Sequence, residues 1–249
     1  MKNIIISGCS YSTNTGTLPY GAIIGKQIPS VPVDNQAWPG QSNKSILSSI
    51  RTSIKDGATD TLFICQLTHL HRLNLYCTLN DRYIDFQPVF VKTIPQIKDG
   101  NIEFEIDTKS KSAGRVRGIG TYGAAKQADT NLPEDIFPEL FDFYEQYLKY
   151  FYDDNESFNS LMDDVDDIQR LVDTTNNKIL FLYWPHILPN KDELKKRNFI
   201  NFNKNYSMLE WSTKNNLLDG ISSHLNTEGH TKVAENILNV LDIKKNRII

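Results

Sequence analysis

The sequence predicts a three-layer α/β/α sandwich: a mostly parallel central sheet between two layers of helices, carrying a β-rich insertion. Three observations lead there. Short runs such as "NIIIS", "TLFICQ" and "KILFLY" are almost uniformly apolar rather than alternating, as strands buried on both faces are. Stretches with apolar residues three and four apart lie between them. The two patterns alternate through the first third of the chain, an order that implies strand–helix–strand units with parallel strands.

Asn3–Ser7 is the first predicted strand, ending in a Ser/Gly cluster. A polar loop runs to Thr17, and Pro19 opens a short helix in "YGAIIGKQI". Val31–Trp38 reads as a second strand, closed by the Pro-Gly turn of "WPGQSN". Asn43 is the expected cap of the next helix, whose Ile46, Leu47, Ile50 and Ile54 share one face before Asp56-Gly57 stops it. Thr61–Gln66 is the third strand. From about Leu73 to Thr130 helical periodicity is missing. Asp99-Gly100 is a hairpin signal there, with Ile102, Phe104 and Ile106 alternating after it. "SKSAGRVRGIGTYGAAK" is Gly-rich and basic. The stretch 73–130 is read as an insertion at the sheet edge, within a single domain spanning 1–249.

Helical patterns return from Pro133. An aromatic-rich segment comes first, then a stripe of Phe158, Leu161, Met162, Val165, Ile168 and Val172. Lys178–Tyr183 is the fourth strand, ended by Trp184-Pro185-His186. Asn226 or Thr227 caps a final helix that turns Val233, Ala234, Ile237, Leu238 and Leu241 to the core.

A chain of 249 residues is ample for a real core. With 39% hydrophobic residues and a net charge of −3, a soluble globular protein is expected, with no electrostatic pull toward nucleic acid or anionic membrane. Cysteines are Cys9, Cys65 and Cys77; an odd, low number fits a reducing compartment, and no zinc-ligand spacing is present. No apolar run approaches the roughly 18 residues that span a membrane, and the first apolar run is too short for a signal peptide. A cytoplasmic location is the expectation.

Open α/β sheets bind ligands beyond the carboxyl ends of their strands. There the sequence places Gly8, Cys9, Ser10, Tyr11 and Ser12, then Gly40 to Asn43, then Thr68, His69, His71 and Arg72, then Trp184 and His186. Asp219, His224 and His230 precede or open the last helix, so all five histidines fall in these positions. Such a set suits nucleophilic hydrolysis, in which a hydroxyl needs a base within reach and donors for the oxyanion that forms. Ser10 is the candidate nucleophile and His224 the candidate base. Asp219 is the group that would orient His224, and the N–H groups of Ser10 and Gly40 are candidate oxyanion donors. A cysteine phosphatase would need an arginine six positions after Cys9, where Thr15 stands.

Gly8-Cys9-Ser10, Gly40-Gln41-Ser42-Asn43 and "DGISSHLNTEGH" resemble, in order and position, the first, second and last blocks of the SGNH/GDSL hydrolase superfamily. The chain departs from that pattern in three places. Cys9 takes the slot of the usual aspartate. Ile221 stands three residues before His224, where the family keeps its acid, so Asp219 or a Ser–His dyad must serve. "CQLTHLHR" lacks the third block's asparagine, leaving Thr68, Asn43 and Arg72 as candidate replacement donors. The resemblance implies a flavodoxin-like sandwich and a serine esterase, acylhydrolase or deacetylase working through an acyl-enzyme. It implies no metal or organic cofactor, and a small-molecule or glycan ester as the partner. Tyr11, His69, Arg72 and His186 are expected at the substrate, with the insertion over the cleft. Arg115 and Arg117 are further candidates for meeting an anionic substrate.

Two other readings stand beside it. One is an inactive SGNH-like binding or virion-associated structural protein. The other is an FMN-binding protein, because "STNTGT" resembles the phosphate loop of flavodoxins. In that pattern Leu18 occupies a threonine position, and "HLNTEGH" has no role.

Overall fold

The fold is that of a computed structural model in which residues 1–13, 16–78, 82–86, 95–98, 101–104, 143, 146–185, 190–219 and 224–241 are described. Strand β1 (Asn3–Ser7) sits near the middle of a four-stranded, fully parallel sheet. Strands β2 (Val33–Asn35) and β3 (Thr61–Leu67) flank it, and β8 (Lys178–Tyr183) lies beyond β3, giving the order β2-β1-β3-β8. Ile4 pairs with Leu62 and Val33, and Ile64 with Leu180. Isolated parallel bridges from Phe181 to Phe199 and from Tyr183 to Ser207 extend the sheet past β8.

Side chains alternate across this sheet and divide the core into two layers. Ile4, Ile6, Leu62, Ile64, Leu180 and Leu182 face helix α1 (Tyr20–Gln27) and helix α6 (Thr227–Leu241). Phe63, Cys65, Leu67, Ile179, Phe181 and Tyr183 face α2 (Asn43–Lys55) and α3 (Asp154–Asp173). The predicted stripe from Phe158 to Val172 on α3 is entirely buried. Two short helices, α4 (Lys191–Lys195) and α5 (Met208–Lys214), complete the C-terminal half. Arg197, after α4, ties the region down by pairing with both Asp166 and Glu193. Among the described residues no helix is long and apolar enough to cross a membrane.

Four expectations change. The second strand is three residues long, not Val31–Trp38, because it is an edge strand with exposed Asp34 and Asn35 and a proline at 32. The third runs one residue further, to Leu67. The cap of α2 is Ser42, whose Oγ accepts from the Ser45 N–H at 3.2 Å; Asn43 is drawn elsewhere. The insertion contains an unanticipated hairpin, β4 (Leu73–Cys77) with β5 (Arg82–Phe86), besides the expected one, β6 (Pro95–Lys98) with β7 (Asn101–Phe104). The first hairpin docks through Asp85. Its carboxylate accepts from Ser42, Ser45 and Asn74 at 2.6, 2.7 and 3.0 Å, which places a negative charge at the N-terminus of α2. Asp99-Gly100, Ile106, the stretch 105–142 with Arg115 and Arg117, and His186 lie outside the described residues.

Candidate active site

The first loop leaves β1 as a single 3-10 turn over Ser10–Ser12. Three partners fix its shape. The Gln66 side-chain oxygen, buried at the end of β3, accepts from the Cys9 N–H and Sγ–H, both at 3.3 Å, and from the Ser12 hydroxyl at 3.0 Å. Ser12 spends its proton on Gln66, so its oxygen accepts from the Tyr20 hydroxyl at 2.7 Å. The Asn35 amide donates to Ser12 O at 2.8 Å. The Cys9 thiol is thus fully buried behind the turn, while Ser10 is half-buried at its front.

The second loop is tied to the first by the Trp38 N–H, which donates to Gly8 O at 3.0 Å. Gly40 follows with φ +87, a left-handed conformation that a side chain rarely adopts. The N–H groups of Ser10 and Gly40 donate no hydrogen bond among the described residues. Asn43 clamps the third loop instead of capping α2. Its Oδ1 accepts from the Thr68 N–H at 2.7 Å and its Nδ2 donates to Thr68 O at 3.1 Å. The Thr68 hydroxyl is buried with no partner.

Tyr11 is the centre of the aromatic cluster above these loops. Its ring stacks on Trp184 at 3.6 Å between centroids and lies 4.8 Å from the His224 ring. Its hydroxyl is 3.4 Å from His69 Nε2, and His69 in turn stacks on His71 at 5.3 Å. Desolvation pushes the Tyr11 phenol up, so it stays neutral at physiological pH. Desolvation, with the Arg72 charge beside it, pushes His71 down to about 4. Arg72 itself is buried and donates through Nη1 to Gln41 O at 2.8 Å. Among the described residues no three metal-ligating groups come together.

His224 is held by its backbone: the Asp219 N–H donates to His224 O at 2.7 Å, beside a Leu218–Leu225 bridge. Asn226 caps α6 by accepting from the Gly229 N–H at 2.8 Å. His230 is buried and its Nδ1 accepts from the Tyr20 N–H at 3.3 Å, so the proton sits on Nε2. The structure therefore gathers Ser10, Tyr11, Gly40, Asn43, Thr68, His69, Arg72 and His224 around neighbouring loops. No hydrogen bond joins the Ser10 hydroxyl to His224 among the described residues. Gln66 is an additional member, with a sequence signal as the one amide in its strand. Trp184 and Gln41, already placed beyond strand ends by the sequence, gain their particular partners only from tertiary contacts.

Burial, with the nearby His224 charge, pushes His230 down to about 4. An unfolded histidine titrates near 6.5, so between about 6.5 and 4 the unfolded chain binds a proton that the folded chain refuses. The contribution is fully present above pH 6.5 and is lost as pH falls toward 4. Wild-type stability is expected to drop over that window by up to about 3 kcal/mol more than that of His230→Gln. Urea unfolding at stepped pH measures the difference; parallel curves would contradict it.

No protein-family model matches the chain, and no curated protein matches it either. Solved structures similar to it include the following two. Protein YxiM from Bacillus subtilis gives a TM-score of 0.48 at 12% identity, covering 100% of this chain. This chain spans 58% of the length of that protein. A member of the lipolytic protein G-D-S-L family from Veillonella parvula gives a TM-score of 0.46 at 12% identity, covering 98% of this chain and 100% of the other.

Proposed function

We propose that the protein is a serine hydrolase of the SGNH type that cleaves an ester or thioester. The observation that carries this reading is the meeting of three loops from opposite ends of the chain. Ser10 projects from the first, Gly40 from the second, and His224 reaches Tyr11, the neighbour of Ser10. Ser10 Oγ attacks the carbonyl carbon while His224 takes the hydroxyl proton. The negative oxygen accepts from the unengaged N–H groups of Ser10 and Gly40, with the Thr68 hydroxyl as a third donor. As the tetrahedral intermediate collapses, His224 returns the proton to the leaving alcohol or thiol. Water then repeats the sequence on the acyl-enzyme, releasing the acid and restoring Ser10.

Catalytic hydrogen bonds often tighten only with substrate in place, and this mechanism requires Ser10 Oγ and His224 to come within about 3.2 Å there. A fluorophosphonate probe tests the assignment. Wild type is expected to be labelled on the peptide containing Ser10, and Ser10→Ala to be unlabelled. Labelling that persists in Ser10→Ala removes the nucleophile. A folded wild type that resists the probe supports a binding protein built on the same scaffold.

A further inference from the structure

Arg72 is 8% exposed, yet no ion pair to it exists among the described residues. Its Nη1 is spent on Gln41 O, while its Nε–H is buried with no partner. Arg197, whose side chain is 12% exposed, shows what a structural guanidinium looks like here: Asp166 and Glu193 both pair with it. A desolvated guanidinium without a counter-charge is strongly unfavourable unless something else repays it. The Asp85 carboxylate is taken up by Ser42, Ser45 and Asn74. His69 and His71 beside Arg72 supply no negative charge, and the buried, unpartnered Thr68 hydroxyl lies four residues upstream.

Gln41 O, which Arg72 grips, directly follows Gly40, the proposed oxyanion donor. The unpaired charge therefore adjoins the loops where the ester would react, and a guanidinium with free N–H groups matches a carboxylate, sulfate or phosphate in charge and geometry. We infer that Arg72 forms an oxyanion-binding subsite of the candidate active site, and that the ester cleaved there carries a carboxylate, sulfate or phosphate group which pairs with Arg72. The substrate part of this inference rests on the hydrolase reading; the anion-binding part does not.

Two measurements separate them. Calorimetric titration of wild type, Arg72→Lys and Arg72→Met uses phenol, 4-hydroxybenzoate, 4-hydroxybenzenesulfonate and phenyl phosphate. At least one anion is expected to bind wild type tenfold or more tightly than phenol. That preference should fall to near unity in Arg72→Met and be partly kept in Arg72→Lys, which retains the charge if the methionine variant folds poorly. The best-binding anion identifies the oxyanion. Hydrolysis of 4-acetoxybenzoate and phenyl acetate is the second measurement, with the kcat/KM ratio expected to favour the anionic ester and to collapse in Arg72→Met. An Arg72-dependent binding preference without turnover of either ester keeps the subsite and discards the hydrolase. Turnover of both esters, with no anion preferred in binding or kinetics, keeps the hydrolase and overturns the subsite. A preference that survives in Arg72→Met overturns it as well.

Discussion

His224→Ala is expected to lower kcat/KM by about 10³- to 10⁶-fold on any ester the protein turns over, the range seen when a hydrolase loses its general base. The size follows from the chemistry. Without an acceptor for its proton, the Ser10 hydroxyl is a poor nucleophile at neutral pH, and the departing alcohol has no donor. A residue that only packed against Tyr11 would alter KM and stability and leave kcat within a small factor. Measuring kcat and unfolding midpoint together separates the two roles, and activity within tenfold of wild type would take His224 out of the mechanism. Asp219→Ala is expected to cost less than His224→Ala. The link described between these residues runs from the Asp219 backbone N–H to His224 O, which alanine preserves.

Gly229→Ala is expected to destabilise the fold by about 2 kcal/mol or more, although alanine is the better helix former. A Cβ at 229 would lie 2.4 Å from the Leu217 carbonyl oxygen and 3.0 Å from Leu225 Cδ2. That carbonyl also accepts from the Asn226 N–H at 2.9 Å, so it cannot retreat without breaking the start of α6. The same displacement would move the loop that carries Asp219 and His224, and loss of activity should accompany loss of stability. Gly25→Ala is the control: its Cβ would meet only Val33, at 3.5 Å, and the substitution should be neutral or stabilising by up to about 1 kcal/mol. Urea midpoints for both variants decide the matter. A Gly229→Ala protein as stable as Gly25→Ala would mean that the loop gives way freely.

Strands β1, β3 and β8 were legible because a parallel strand covered on both faces takes few polar residues, Gln66 being an exception with hydrogen-bond partners of its own. The stripe on α3 was legible for the related reason that one face meets the sheet. Strand β2 was overextended because an apolar residue at an edge, such as Val31 or Ala37, looks the same in sequence whether or not its backbone is paired. Ser42 and Asn43 are both good helix caps. What separates them is the Thr68 backbone arriving from another strand to occupy the Asn43 amide, a contact that local propensity does not contain. The site divides the same way. Ser10, Gly40 and His224 were singled out by their positions beyond strand ends and by the resemblance of their motifs, and the structure places their loops near one another, whereas Tyr11, expected at the substrate, also spends its ring on Trp184. The unpaired state of Arg72 was out of reach, since charge balance depends on which acids fold nearby.

The contact between the Tyr20 N–H and His230 Nδ1 joins residues 210 positions apart. On a ribosome, β1, the serine turn, α1 and β3 emerge long before α6 does. Gln66 can shape the turn early, but the buried face of Tyr20 and the loop bearing His224 await the helix that begins at Thr227. Synthesis thus separates Ser10 from His224, the proposed nucleophile and base, for most of the time the chain is being made. If they act as proposed, a nascent chain can hold a formed serine turn while remaining inert toward esters around it.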